Sequence, residues 1–263
     1  MQPAPRDPCG PLHKVAVVSD VHGNVTAYEA VLADIARRGI EHVVNLGDVI
    51  GKGPRGSECI RLSKERCAVT VRGNWDAFIA RDDAQAWGHA QWVRDGLSPA
   101  ELTWLAQLPN VHELVLSGQP IRFFHASPVG EFTRVFAPTT EAEHRAFAAQ
   151  TTFTGDGPVP TIVGYGDIHG AYLSVDYGIT VFNAGSVGNA LDAPGAPYVV
   201  LEGTLPRPGE TDPPGHVGIT FVRVPYDVEA EIAVAEELGM PGVEAYALEL
   251  REQRYRGSAL PAS

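Results

Sequence analysis

Five short segments of this 263-residue chain carry side chains suited to gripping metal ions, and they occur in a fixed order. The first is Asp20-Val21-His22-Gly23-Asn24. In extended chain, residues i and i+2 face the same side, so the Asp20 carboxylate and the His22 imidazole can hold one ion. The second is Leu46-Gly47-Asp48, where glycine permits a sharp turn and the carboxylate offers two oxygens able to bridge two ions. The third, Arg72-Gly73-Asn74-Trp75-Asp76, supplies in Asn74 a neutral oxygen that tolerates the approach of an oxyanion. His125 follows the apolar stretch from Ile121 to Phe124, and Gly166-Asp167-Ile168-His169 repeats the i, i+2 spacing. Taken singly, each is a common turn or cap, and Asn24 reads better as a helix N-cap than as a ligand. Together they form a donor set of nitrogen and oxygen only. Such a set suits manganese, iron or zinc in hydrolytic chemistry, and not a thiolate site.

The elements that must position these residues are legible in the apolar pattern. Lys14 to Ser19 is a Val-rich run expected of a strand buried on both faces. Tyr28, Val31, Leu32 and Ile35 then recur at helical spacing, with Gly39 as the stop. His42 to Leu46 predicts a second strand, Ser57 to Lys64 a helix and Ala68 to Val71 a third strand. This alternation predicts an α/β core that delivers its strand ends to one edge. Ser98-Pro99-Ala100-Glu101 is a capping box opening a helix to Gln107. Val111 to Leu116 and Ile121 to Phe124 form a hairpin about Ser117-Gly118-Gln119-Pro120, residues 128 to 139 a loop, and Thr140 to Gln150 a helix. Further strands are expected at 161–165, 171–176, 179–183, 197–202 and 218–223, with a Pro-rich turn from Pro206 to His216. Helices from Asp227 to Leu238 and Gly242 to Arg254 follow. The expected organisation is a lead-in at 1–13, a single domain at 14–256 and a tail at 257–263.

Composition narrows the function classes. The chain has 20 Lys and Arg against 32 Asp and Glu, a formal charge of −12. Stable binding of duplex nucleic acid needs clustered cations and is not expected. Cys9, Cys59 and Cys67 make neither an even framework nor a CxxC pair, which favours a reduced, cytoplasmic setting. No apolar run approaches the ~20 residues needed to span a bilayer, and none resembles a secretory signal.

The ordered set resembles the calcineurin-like metallophosphoesterase superfamily, whose pattern runs D-x-H, G-D, G-N-H-[DE], H, G-H-x-H. The resemblance covers roughly residues 14 to 256. Leu46 to Gly56, Trp92 to Pro109, Val181 to Gly188 and Arg223 to Val228 look like its compact bacterial branch of YfcE-type phosphodiesterases and diadenosine-tetraphosphatase-like proteins. The resemblance implies an α/β (α+β) fold: a four-layer αββα sandwich with two mixed central sheets and a dinuclear metal centre at one edge. It implies two divalent transition-metal ions, manganese first, with iron, zinc or nickel as alternatives. One ion would take Asp20, His22, bridging Asp48 and His169; the other would share Asp48 and add Asn74, His125 and Asp167. Asp48, Asn74 and His125 would act in catalysis through a hydroxide bridging the ions, which attacks phosphorus in line.

Two positions depart from the pattern. Position 167 is Asp where the family has His, and the extra carboxylate is expected to ligate while lowering the positive charge of the centre. That change disfavours dianionic monoesters relative to diesters. Position 75 is Trp where many relatives carry a His that protonates the leaving oxygen, and indole cannot act as an acid. Asp76 is then a structural residue that orients a ligand. Lys52, Arg55 and Arg72 flank the motifs and are candidates for binding substrate phosphate.

The expected function is a metal-dependent phosphodiesterase acting on small or nucleotide-derived diesters. The alternatives are a dinucleoside polyphosphate hydrolase, a phosphomonoesterase or, from another class, a non-catalytic protein-binding scaffold with a degenerate metal site. The expected partners are a small phosphate ester or nucleotide and, at most, further copies of the chain; no membrane partner is expected.

Overall fold

Val15 and Val17 point into one apolar cluster while Ala16 and Val18 point into another, so the first strand is buried on both faces. The computed structural model describes residues 13–81, 88–204 and 215–255. The N-terminal lead-in through residue 12, Cys9, Trp87, most of the Pro206–His216 turn and the tail at 257–263 lie outside the described residues.

In chain order the elements begin with β1 (His13–Val18), α1 (Val25–Arg37), β2 (His42–Asn45), α2 (Gly56–Arg66) and β3 (Val69–Thr70). Helices α3 (Asn74–Ala80), α4 (His89–Asp95) and α5 (Pro99–Ala106) follow. The hairpin β4 (Val111–Leu116) and β5 (Gln119–Phe124) leads to α6 (Glu141–Phe147). Strands β6 (Ile162–Tyr165), β7 (Tyr172–Asp176), β8 (Ile179–Asn183), β9 (Ala196–Gly203) and β10 (Gly218–Val224) precede α7 (Val228–Glu237) and α8 (Val243–Glu252).

These strands form two five-stranded mixed sheets, in the orders β10-β9-β1-β2-β3 and β4-β5-β6-β8-β7. In the first, β1, β2 and β3 run parallel, and β9 is antiparallel to both β1 and β10. In the second, β5, β6 and β8 run parallel between antiparallel edges. Val15, Val17, Val44 and Leu46 of the first sheet meet Ile121, Phe123, Ile162 and Phe182 of the second in an apolar layer between them. The other face of the first sheet packs on Tyr28, Val31, Leu32 and Ile35 of α1 and on Cys59 and Ile60 of α2. Phe124, Val163 and Val181 cover the far face of the second sheet together with Phe147 of α6. The result is the expected four-layer αββα sandwich. Among the described residues, no helix is long and apolar enough to cross a membrane.

Two helices went unread in the sequence. The segment expected as a ligand loop at Asn74 is itself the first turn of α3, because Asp76 accepts from the Gly73 N–H at 3.0 Å and caps the helix start. Helix α4 follows at His89. Helix α6 stops at Phe147, short of the expected Gln150. There the buried Arg122 guanidinium takes the Ala149 carbonyl at 2.9 Å. The hairpin turn contracts to Ser117 and Gly118, both at positive φ, which suits a two-residue connection.

Candidate metal centre

All the motif residues leave the carboxyl ends of parallel strands: Asp20 and His22 after β1, Asp48 after β2, Asn74 after β3, His125 after β5, Asp167 and His169 after β6. Sheets of this kind concentrate ligand sites at that edge. The loops are zipped to one another by backbone hydrogen bonds, Asp20 N–H to Gly47 O and His22 N–H to Asp48 O, both at 2.9 Å. Asp20, His22, Asp48, Asp167 and His169 all sit at φ between 52° and 65°, a left-handed backbone that non-glycine residues seldom adopt. Such conformations persist only where the surroundings over-determine them. Glycine is required at position 73, where a Cβ would lie 2.1 Å from Asp48 Oδ1 and 2.2 Å from Asp48 N.

The three histidines share one arrangement. His22 Nδ1 faces Ile50 O at 3.1 Å, His125 Nδ1 faces Leu46 O at 2.9 Å and His169 Nδ1 faces Asn189 O at 2.7 Å. Each carbonyl accepts from Nδ1–H, which leaves Nε2 as a lone-pair donor turned inward. His22 Nε2 and His169 Nε2 then stand 3.0 Å apart. Two lone pairs at that separation repel unless a cation lies between them. Asp20 Oδ1, 3.7 Å from His22 Nε2 and 3.3 Å from His169 Nε2, is buried and has no hydrogen-bond partner. Donors on one ion at about 2.1 Å lie within ~4.2 Å of each other, so these three fit a common ion.

A second set adjoins the first. Asp48 presents Oδ2 to His22 Nε2 and Oδ1 to His125 Nε2, each at 3.5 Å. Asn74 Oδ1 is 3.2 Å from His125 Nε2. Asp20, Asp48 and His125 could together hold a metal ion, as could Asp20, His22 and His169. Asp48 is itself positioned by Asp76, whose carboxylate accepts from the N–H groups of Asp48 (2.8 Å), Val49 (3.0 Å) and Gly73 (3.0 Å). Asn24 caps α1, its Oδ1 accepting from Ala27 N–H at 2.9 Å.

Burial and close charges shift the groups of the cluster in opposite directions. Burial holds the His22 imidazole well below its usual range, reinforced by His169 beside it. Burial also pushes Asp48 well above the carboxylate range, with Asp20 and Asp76 adding repulsion, and lifts Asp76 to about 6. Asp20 is pulled low despite its burial, because His169, His125 and His22 surround it. His125 rises to about 9, since Asp48, Asp20 and Asp167 outweigh the cost of burying its charge. A divalent ion among these carboxylates would take over that compensating charge.

Asp167 stands apart from both sets. Its Oδ1 lies 4.0 Å from His125 Nε2. Both of its oxygens accept from Arg134, Oδ2 from Nε at 2.8 Å and Oδ1 from Nη2 at 2.9 Å. The expectation that Asp167 ligates the second ion took no account of this arginine.

Over the cluster opens a cleft of about 390 Å³, lined by Asp48, Lys52, Asn74, Trp75, His89, Arg134, Phe136, Asp167, Ile168, His169, Leu191 and Tyr255. Lys52 reaches it, but its Nζ donates to Asn189 Oδ1 at 2.7 Å and to the buried Glu249 at 3.1 Å. Arg55 and Arg72 do not line it, contrary to their reading as phosphate contacts. Arg55 is bound to buried Glu231 and to Thr26 Oγ1 at 2.7 Å, and it faces a different cleft. Arg72 donates to Asn110 Oδ1 at 2.6 Å and pairs with Glu131 at 3.2 Å. Trp75 stands edge-on to His22 with ring centroids 6.2 Å apart, and His89 lies behind it at 6.2 Å. Both His89 nitrogens meet backbone carbonyls, Nε2 to Gly51 O at 2.9 Å and Nδ1 to Pro241 O at 3.2 Å. Arg134, Asn189, Glu249 and Tyr255 were not singled out from the sequence. The signal available in the sequence was the Asp in place of His at 167, an added carboxylate that invites a compensating cation.

The comparisons agree with this architecture. Residues 14–204 match the calcineurin-like phosphoesterase superfamily domain. An uncharacterised protein of Methanocaldococcus jannaschii, MJ0912, is 32% identical over 120 residues, 43% of this chain, and the match spans about half (49%) of that relative. A metallophosphoesterase from Sphaerobacter thermophilus has a similar structure, with a TM-score of 0.69 at 24% identity over 92% of this chain and 99% of that one. So does PH1004 of Pyrococcus horikoshii, with a TM-score of 0.68 at 18% identity over 94% and 99%. With the matched domain covering most of its length, this chain belongs to the calcineurin-like phosphoesterase superfamily.

Proposed function

We propose that this chain is a dinuclear metal-dependent phosphodiesterase acting on small or nucleotide-derived diesters. The observation that carries the reading is the inward convergence of three Nε2 lone pairs on two carboxylates, with every Nδ1 committed to a backbone carbonyl. Asp20, His22, His169 and one oxygen of Asp48 would hold one ion. The other oxygen of Asp48, with Asn74 and His125, would hold the second. Bound there, two divalent ions would activate water and neutralise the phosphoryl oxygens; manganese is the first candidate.

The protein's own groups then set orientation and preference. Asp76 fixes the Asp48 loop by accepting from the N–H groups of Asp48, Val49 and Ile50, and Trp75 N–H donates to Asp48 Oδ1 at 2.8 Å. Asn74, uncharged, lets a phosphoryl oxygen approach from the cleft. Among the described residues, both cations that line the cleft are committed: Lys52 binds Glu249 and Arg134 binds Asp167. A monoanionic diester suits that balance better than a dianionic monoester. The apolar rim of Trp75, Phe136, Ile168, Leu191 and Tyr255 suits the second ester substituent. Because Trp75 cannot donate a proton to the leaving oxygen, good leaving groups are favoured; a positioned acid typically contributes about 10²–10⁴-fold.

The test is hydrolysis of a bis-aryl phosphate against the matching aryl monophosphate, with manganese, nickel, zinc and iron supplied in turn. Metal-dependent turnover with a higher kcat/KM for the diester is expected. Monoester preference would overturn the diester assignment, and neither bound metal nor turnover would favour a scaffold.

A further inference from the structure

We infer that Arg134 is a positioning residue that withholds the Asp167 carboxylate from the second metal position while cancelling its charge towards an incoming phosphate. The inference rests on the metal-dependent reading above. Asp167 is only 5% exposed and borders His125, yet both of its oxygens are taken by one guanidinium in a forked pair. This is the geometry in which arginine binds carboxylates most tightly.

Both partners are held in place. Asp167 has a left-handed backbone at φ 65°, and its N–H donates to Asp20 Oδ2 at 3.1 Å. Next to Arg134, the Val135 carbonyl accepts from buried Tyr165 Oη at 3.2 Å. Tyr165 Oη in turn meets Tyr172 Oη at 2.9 Å. The arginine side chain itself is half exposed and lines the cleft, so the pair faces the place a substrate must occupy.

The consequence follows from charge and donor count. Where the family pattern has a neutral imidazole, this chain has a carboxylate and a guanidinium that sum to zero. The charge met by a phosphate is therefore preserved, but the donor is not. Each Asp167 oxygen keeps a second lone pair. To move closer than its 4.0 Å from His125 Nε2, however, the carboxylate must pull against the forked guanidinium. The guanidinium also lowers its donor strength and repels the ion. The second position is left with Asp48, Asn74 and His125, and the two metal equivalents should bind unequally.

The experiment is calorimetric titration of the metal-stripped full chain with Mn²⁺, followed by titration of the Mn²⁺-loaded protein with inorganic phosphate. Arg134→Ala should tighten the weaker Mn²⁺ equivalent by roughly tenfold and weaken phosphate by a similar factor. Arg134→Lys keeps the charge without the fork and should tighten Mn²⁺ by less. In an Asp167→His background, removing Arg134 should tighten Mn²⁺ by much less, since only the relief of charge repulsion remains. A merely structural ion pair would move neither titration, and matched thermal melts would show the variants folded. Unchanged or weakened Mn²⁺ binding in Arg134→Ala overturns this inference alone. A wild-type chain that binds no Mn²⁺ overturns it together with the metal-dependent reading. A metal response as expected, without turnover on any phosphate ester, leaves Arg134 in this role and removes the enzymatic reading.

Discussion

The two halves of the candidate centre are built differently. Asp20, His22 and His169 are almost fully buried and matched to the family pattern, and their Nε2 and Oδ1 atoms are aimed at one another with no other use. Asn74 is only partly buried at the first turn of a short helix, and the neighbouring acid at 167 is occupied by Arg134. On the proposed reading the first half would be the rigid one, its two imidazoles fixed by backbone carbonyls and turned on one ion. The second would bind its ion beside an acid that an arginine already engages. A centre divided in this way would hold its two ions unequally.

Asp48 joins the halves, so its loss gives the largest effect. Asp48→Ala should remove both metal equivalents and reduce diester turnover by more than the roughly 10–100-fold that changes outside the ligand set produce. Metal content after dialysis and kcat with saturating Mn²⁺ check this. If one equivalent stays at full affinity, the halves are separable and the bridge is wrong.

Asp76 tests the same bridge from beneath. Asp76→Asn keeps one acceptor oxygen but turns an NH₂ towards either the Asp48 and Gly73 N–H groups or those of Val49 and Ile50. Metal affinity should fall by about 10–100-fold. Stability should drop by roughly 1–3 kcal/mol for each donor left unsatisfied. Denaturant melts with and without Mn²⁺ separate the two effects.

What was legible in the sequence follows the same division. The ligand candidates were readable because each follows a strand and they recur in a fixed order. The left-handed backbone at Asp20, His22, Asp167 and His169 is nonetheless not the extended chain that their i, i+2 spacing suggested. The doubly buried strands were readable because runs such as Val15 to Val18 need no polar face. Arg55 and Arg72 were misjudged because nearness to a motif does not reveal a buried Glu231 or a distant Glu131 that claims the guanidinium. Glu249 and Asn189 lie far along the chain from His169 and carry no periodic signal, so only the tertiary fold brings them under it. Helix α3 was missed because Gly73-Asn74 reads as a turn until the Asp76 cap is seen.

Glu249 probes the support of the rigid half. Its buried carboxylate accepts from Asn189 Nδ2 at 3.0 Å, and Asn189 holds His169 through its carbonyl at 2.7 Å. Glu249→Gln removes the charge that pairs with Lys52 while keeping the side-chain volume. The tighter Mn²⁺ equivalent should weaken by about tenfold, at the low end for ligand-orienting partners. The weaker one should change less, because Glu249 acts on His169 through Asn189. Equal weakening of both would show that the halves share their support.

The smallest effect is expected at the rim. Tyr255 is 51% exposed, lies with its ring 5.3 Å from Lys52 Nζ and lines the cleft. If it packs on the ester substituent, Tyr255→Ala loses an aromatic contact of about 0.5–1 kcal/mol, roughly a two- to fivefold rise in KM for a bis-aryl phosphate. Metal affinity should be unchanged, and kcat should hold because the contact is equally present in the ground and transition states. The same substitution should matter less for a dialkyl phosphate, whose substituents offer no ring to stack. A fall in kcat with KM unchanged would instead assign Tyr255 to the placement of Lys52 and Glu249. That would tie the rim to the rigid half.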